Sequence, residues 1–252
     1  MKPQPETSAV PSLFPSKTPA TTPKKPPCAQ SKDFTLPKLR LEIRDLTHPG
    51  ANLALTSVNA AETITTAARN VLRLLYTSPA SPTTTPPPTR SITIILRDMP
   101  GVAYTTGTEL DDDHKEVHFS LNHISSTSKQ RAAQEITGVI THELVHCLQW
   151  NAFGTCPGGL VEGVADWVRL NCDLAPPHWK KEAADRWDAG YQHTAYFLDY
   201  LERTRGGGLV TRLNEKLRIE KYAERRFWVE LTGQTVDDLF AEYVESLKAG
   251  QE

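Results

Sequence analysis

His142, Glu143 and His146 carry the sharpest chemistry in this 252-residue chain, in the run Thr141-His142-Glu143-Leu144-Val145-His146. Positions i and i+4 of a helix lie about 40° apart around its axis, so both imidazoles aim at one point and can share a metal ion. A carboxylate between them is placed to take and return a proton at that point. The plain alternative is a core helix whose histidines satisfy local hydrogen bonds, which suits a lone histidine better than this pair. A helix is expected over residues 130–150, because Ala132, Ile136, Val139, Ile140, Leu144 and Leu148 recur at three- and four-residue spacing.

Two imidazoles alone make a weak metal site, so a third protein ligand is required. A helix continuing with glycine three positions and histidine six positions beyond His146 is excluded, since Gln149 and Ala152 stand there. An aspartate from a Gly-Thr-x-Asp segment fails too, because Gly154-Thr155-Cys156 is followed by Pro157. The chain continues as Gly158-Gly159-Leu160-Val161-Glu162-Gly163-Val164-Ala165-Asp166-Trp167-Val168-Arg169, a loop entering a second helix. Gly154, Pro157, Gly158 and Gly159 allow the chain to reverse, so that helix can return a carboxylate over the first. Glu162 and Asp166, one turn apart, suit a metal ligand and a partner accepting a hydrogen bond from a ligating imidazole. A surface charge paired with Arg169 is the competing reading of Asp166.

Residues 141–179 resemble the plant and fungal basic secretory protein family of zinc peptidases. The carrying stretches are His142 to His146, Gly158 to Arg169 and Pro176-Pro177-His178-Trp179. Val102-Ala103-Tyr104, Lys115-Glu116-Val117-His118-Phe119-Ser120 and Trp187-Asp188-Ala189-Gly190-Tyr191 extend the resemblance to roughly residues 36–245. The Glu-Gly-x-Ala portion is also similar to the segment of metallo-aminopeptidases in which glutamate binds zinc, independent support for Glu162. The resemblance implies an α+β, zincin-like metallopeptidase domain: a small mixed sheet and an active-site helix, followed by a mainly helical C-terminal lobe.

It further implies one zinc ion held by His142, His146 and Glu162, with Asp166 behind the ligands. Glu143 would be the general base in peptide hydrolysis. Tyr191, matching the tyrosine of the family's Trp-Asp-x-Gly-Tyr stretch, would donate to the oxyanion; His193 is the alternative donor. By analogy with zinc peptidases, the alternating stretch 115–122, with Val117 and Phe119 on one side, is expected to be the substrate-binding edge strand. His118 falls on its other face and is expected to meet solvent. A catalytically silent zinc-binding interaction protein of the same fold is the alternative function, and a metal-free structural protein a third. Endo- versus exopeptidase action and oligomeric state stay open.

The chain departs from the family's name in charge: 28 basic against 30 acidic side chains give a formal net charge of −2. Nucleic acid and acidic membrane surfaces therefore gain no electrostatic support as partners, and peptide or protein substrate is the expected one. Residues 1–30 hold no apolar run suited to a signal-peptide core, so an intracellular setting is expected, with unconventional secretion left open by the family resemblance. No apolar span is long enough to cross a membrane. Cys147 reads as a packed thiol, since it points about 100° away from His146; spacing leaves open whether Cys156 and Cys172 pair.

The positioning elements are set by composition and periodicity. Residues 1–35, rich in Pro, Thr, Ser and Lys, are expected to form a disordered tail, and 36–248 a single domain. Leu39, Leu41 and Ile43 alternating with charged residues suggest a half-buried strand over 36–45. A helix over 58–76, a flexible Pro/Thr-rich loop over 77–89 and a strand over 91–97 come after it. Helices are expected over 190–203, 209–217 and 236–247, with Gly206-Gly207-Gly208 a turn.

Overall fold

A four-stranded mixed sheet carries the helix of His142 and His146 across its face in the computed structural model, which describes residues 33–81, 84–109 and 111–250. The expected N-terminal tail therefore lies almost wholly outside the described residues. Strand β1 (Lys38–Ile43) is followed by helices α1 (Pro49–Ser57) and α2 (Ala60–Tyr76), then by strands β2 (Ser91–Arg97), β3 (Ala103–Gly107) and β4 (His114–Ser120). Helices α3 (Leu121–Ser126) and α4 (Lys129–Leu148) come next, then α5 (Gly158–Leu170). The remainder is helical, with α6 (Tyr191–Thr204), α7 (Leu209–Ile219), α8 (Glu224–Thr232) and α9 (Val236–Ala249). No helix among the described residues is long and apolar enough to cross a membrane.

The strands lie in the order β1-β2-β4-β3, with β1 parallel to β2, β2 parallel to β4, and β3 antiparallel to β4. The parallel β1–β2 pair is joined through α1 and α2, as a parallel connection requires. β1 alternates exposed Lys38, Arg40 and Glu42 with half-buried Leu39, Leu41 and Ile43, as an edge strand should. β2, Ser-Ile-Thr-Ile-Ile-Leu-Arg, is buried from Ser91 to Leu96 because strands flank it on both sides and its faces are covered.

The position of β4 corrects the expected substrate strand. β4 pairs with β2 on one side and β3 on the other, so it has no free edge for an extended peptide. Val117 and Phe119 are both 0 % exposed and belong to the core. The free edge beside α4 is β3. His118 also differs from expectation: it is buried, with its ring stacked on Tyr104 at 4.6 Å.

Helix α2 presents Ile64, Ala67, Ala68, Val71, Leu72 and Leu75 to the core, and Asn59 caps it by accepting from the Glu62 backbone N–H. The 20-residue α4 packs against α2, α5 and β3. Two carbonyls of its last turn find hydroxyl donors. Tyr76 donates to Leu148 O at 2.6 Å and Thr89 donates to Cys147 O at 2.8 Å. The described part of the Pro/Thr-rich loop is thus tied to the end of α4, also through the Trp150 indole N–H, which donates to Thr85 O. In the helical remainder Trp228 is fully buried among Trp187, Phe197 and Phe227, with ring centroids 5.5–6.4 Å away.

Helices α5 and α6 approach closely through glycine. A Cβ at Gly159 would stand 1.8 Å from the Asp188 carbonyl oxygen, and one at Gly163 would stand 2.2 Å from Thr194 Cγ2. Gly158, by contrast, faces open space. Gly159→Ala should therefore cost about 1–3 kcal/mol of stability through a forced backbone shift. Gly158→Ala should change stability by less than about 0.5–1 kcal/mol, in the direction of stabilisation. Chemical denaturation of both variants checks the contrast.

Candidate metal centre

The two histidines leave α4 side by side. His142 Nε2 and His146 Nε2 are 3.1 Å apart, with the rings nearly perpendicular at 83°. The third group arrives on α5 after a tight reversal in which Ala152, Phe153 and Gly154 all adopt positive φ, of 56°, 58° and 79°. The expected glycine contributes, but two non-glycine residues share the left-handed conformation. This reversal is pinned to α7, where Ala152 N–H donates to Leu217 O and Trp150 N–H to Asn214 Oδ1.

Glu162, in the second turn of α5, then places Oε2 3.1 Å from His142 Nε2 and Oε1 3.7 Å from His146 Nε2. His142, His146 and Glu162 are the group that could hold a metal ion among the described residues. Metal–ligand bonds of about 2.0–2.1 Å at tetrahedral angles set ligand atoms roughly 3.3–3.4 Å apart. The observed separations bracket that value, so the donor set fits a small four-coordinate cation with one position left over.

Partners behind the two imidazoles orient the rings. His142 Nδ1 lies 2.7 Å from Asp166 Oδ1, and Asp166 is 3 % exposed. An ionised carboxylate only accepts, so the proton lies on Nδ1 and Nε2 turns toward the ligand position. Asp166 does not pair with Arg169. That guanidinium donates to Glu135 Oε2 at 3.1 Å and to Leu174 O at 3.0 Å, and lies over the Trp179 ring. It passes α4 at Gly138, where a Cβ would stand 2.6 Å from Nε.

Gln149 was absent from the sequence-based site. It is the extended residue that ends α4, and its Nε2 lies 2.8 Å from His146 Nδ1 and donates to Val161 O at 3.4 Å. A cation on His146 Nε2 would leave the proton on Nδ1, and a half-turn of the amide would present Oε1 to accept it in exchange for the Val161 contact.

Burial opposes charge on the His142 ring, but the Asp166 and Glu162 carboxylates outweigh it and push its pKa up to about 9. Burial likewise pulls the Glu162 carboxyl upward, while His142 and His146 prevail and hold it well below the usual carboxylate range. A cation held by this group would have to displace any proton on His142 Nε2.

Glu143 is 5 % exposed, and the Thr105 hydroxyl lies 2.6 Å from its Oε2. Thr105 is the second residue missed in the sequence; five-residue β3 is too short to show a period. Tyr191 opens α6 with φ 45°, directly after Gly190 at φ 89°. The residue is 58 % exposed and its ring stacks on His142 at 6.3 Å. Nearby Glu162, then partial burial, raises its phenol pKa.

His142, Glu143, His146, Glu162, Asp166, Tyr191 and His193 all line one cleft of ≈ 870 Å³, together with Thr105 of the sheet edge. Val117 and Phe119 do not line it. Cys147 is buried and free, and burial pushes its thiol pKa up; Cys156 and Cys172 are also free thiols.

Asp166→Asn removes the acceptor charge while keeping the side-chain shape. It should weaken the binding of a divalent cation by about 10–100-fold. Gln149→Leu should weaken it by roughly tenfold, at the lower end of the same range. Competition with a chromogenic chelator at fixed pH measures both.

No curated protein and no solved structure was found to match this chain. The family BSP, described as "peptidase of plants and bacteria", matches residues 36–243, a span from β1 into α9 that includes every residue of the candidate centre. The chain belongs to the BSP family of peptidases.

Proposed function

We propose that this protein is a zinc-dependent peptidase with a zincin-like fold, residues 36–248 forming its single catalytic domain. The observation that supports this most is the convergence of His142 Nε2, His146 Nε2 and the Glu162 carboxylate at 3.1–3.7 Å spacings beside a buried Glu143, in a cleft bounded by a free strand edge. Two imidazoles and one carboxylate are donors that suit zinc, and the fourth position is what separates a catalytic from a structural site. Zinc bound there would supply Lewis acidity, lowering the pKa of water toward ~7 and polarising a peptide carbonyl.

The protein's own groups then carry the proton traffic. Glu143 accepts the proton of the attacking water and returns it to the leaving amine. Asp166 keeps the His142 ring in the tautomer that leaves Nε2 free. Tyr191, exposed over the His142 ring, donates its phenolic O–H to the developing oxyanion, with His193 as the other donor lining the cleft. The positive φ at Tyr191 supports this role, because backbone strain concentrates where a side chain must be held in place. A substrate in extended conformation pairs with β3 rather than β4, since among the described residues only β3 has an unpaired edge beside α4.

Metal analysis paired with cleavage of a mixed peptide library tests the proposal. Glu143→Gln should retain stoichiometric zinc and lower kcat by about 10²–10⁴-fold, the usual contribution of a positioned general base. Equal cleavage by wild type and variant would sink the hydrolytic role of Glu143. Zinc binding without cleavage by either would leave a metal-binding protein that acts by interaction.

A further inference from the structure

The group that holds the base comes from the rim of the substrate cleft. Thr105 lies in the middle of β3 (Ala103–Gly107), opposite Val117 of β4, and lines the cleft. Its Oγ1 is 2.6 Å from Glu143 Oε2 and 3.2 Å from the Glu143 backbone oxygen. Both of those atoms accept, so the single hydroxyl proton is donated chiefly to the nearer carboxylate oxygen. Among the described residues no other hydrogen bond to the Glu143 carboxylate is present, and Oε1 is not sealed from solvent.

We propose that Thr105 is a positioning residue for the peptidase chemistry, fixing the carboxylate plane of Glu143 through Oε2 so that Oε1 is presented to the reacting water. The proposal rests on Glu143 being the general base. A glutamate carboxylate turns about its last torsion in a broad, two-fold well, so packing alone does not choose which oxygen faces the cleft. A short hydrogen bond to one oxygen does. Its donor sits on the strand edge available to substrate backbone, so the same strand that would align the peptide also aligns the base. Distances between reacting groups depend on that shared frame, and small misplacements in it are costly to rate.

Thr105→Val keeps the shape of the side chain and removes the hydroxyl, whereas Thr105→Ser keeps the hydroxyl and removes the methyl. With the full chain loaded with zinc, steady-state cleavage of a peptide substrate should show kcat for Thr105→Val reduced by about tenfold to a hundredfold. KM and zinc affinity should stay within about twofold, and Thr105→Ser should recover kcat to within about threefold of wild type. In a Glu143→Gln background, Thr105→Val should add no further loss, because both changes act through one group. If Thr105→Val fails to fold, Thr105→Ser against Thr105→Ala isolates the same hydroxyl.

Undiminished kcat in Thr105→Val, or in Thr105→Ala where that pair is used, overturns the proposal. So does a rise in KM with kcat unchanged, which would mark a substrate contact only. An equal loss without rescue by serine, accompanied by a lower Tm, would reduce Thr105 to a packing residue between β3 and α4. An inactive Glu143→Gln beside a fully active Thr105→Val counts against Thr105 alone. A fully active Glu143→Gln counts against the general-base reading and this one together.

Discussion

The contact between His142 Nδ1 and Asp166 Oδ1 joins the two helices on which the rest of the site depends. It is short, buried and oriented: one end fixes a ring tautomer and the other holds α5 in rotation about its own axis. Because Glu162 lies one turn before Asp166 on the same face, that rotation also decides whether the third ligand reaches the histidines. A buried carboxylate without a partner would be costly, so the contact has few alternatives once α4 and α5 have packed. Gln149 adds a second tie between the helices, from His146 to the carbonyl beside Glu162.

Close packing on the far side of α5 serves the same end. The glycines at 159 and 163 let α6 approach until Gly190 N–H donates to Thr194 Oγ1 and that hydroxyl donates to Trp187 O. The start of α6 is thereby placed where Tyr191 stacks on His142. Arg169, on the opposite end of α5, finds its counter-charge in Glu135 of α4 and leaves Asp166 to the histidine. Glu162 and Asp166 thus share the two nitrogens of the His142 ring, while Arg169 is neutralised by Glu135.

The parts of this arrangement that were legible in the sequence are those set by local geometry. Four-residue spacing on a helix places His142 and His146 together whatever else the chain does, and a turn-rich segment before Glu162 implies a returning helix. The long elements α2, α4 and α9 show in their apolar spacing for the same reason. α1 escaped because Pro49–Ser57 has no continuous apolar stripe, and α8 because Glu-Arg-Arg-Phe-Trp-Val-Glu-Leu-Thr is short and mostly polar. The assignment of Val117 and Phe119 failed for a topological reason. Alternation reveals that one face of β4 is buried but says nothing about which strands flank it, and β3 lies outside it in an order that differs from that of the chain. Gln149 and Thr105 are legible only in three dimensions, since neither residue type nor spacing links them to His146 and Glu143.

The hydroxyl caps at the end of α4 have an electrical side. Aligned peptide dipoles leave roughly half a negative charge at a helix C-terminus and half a positive charge at an N-terminus. His146 stands in the last turn of α4, and Glu162 lies near the start of α5. The negative end of α4 therefore favours a cation beside His146. Tyr76 and Thr89 satisfy the α4 carbonyls with neutral O–H groups where a lysine or arginine would have cancelled that field. The negative end of the helix is left open to a cation at the candidate centre.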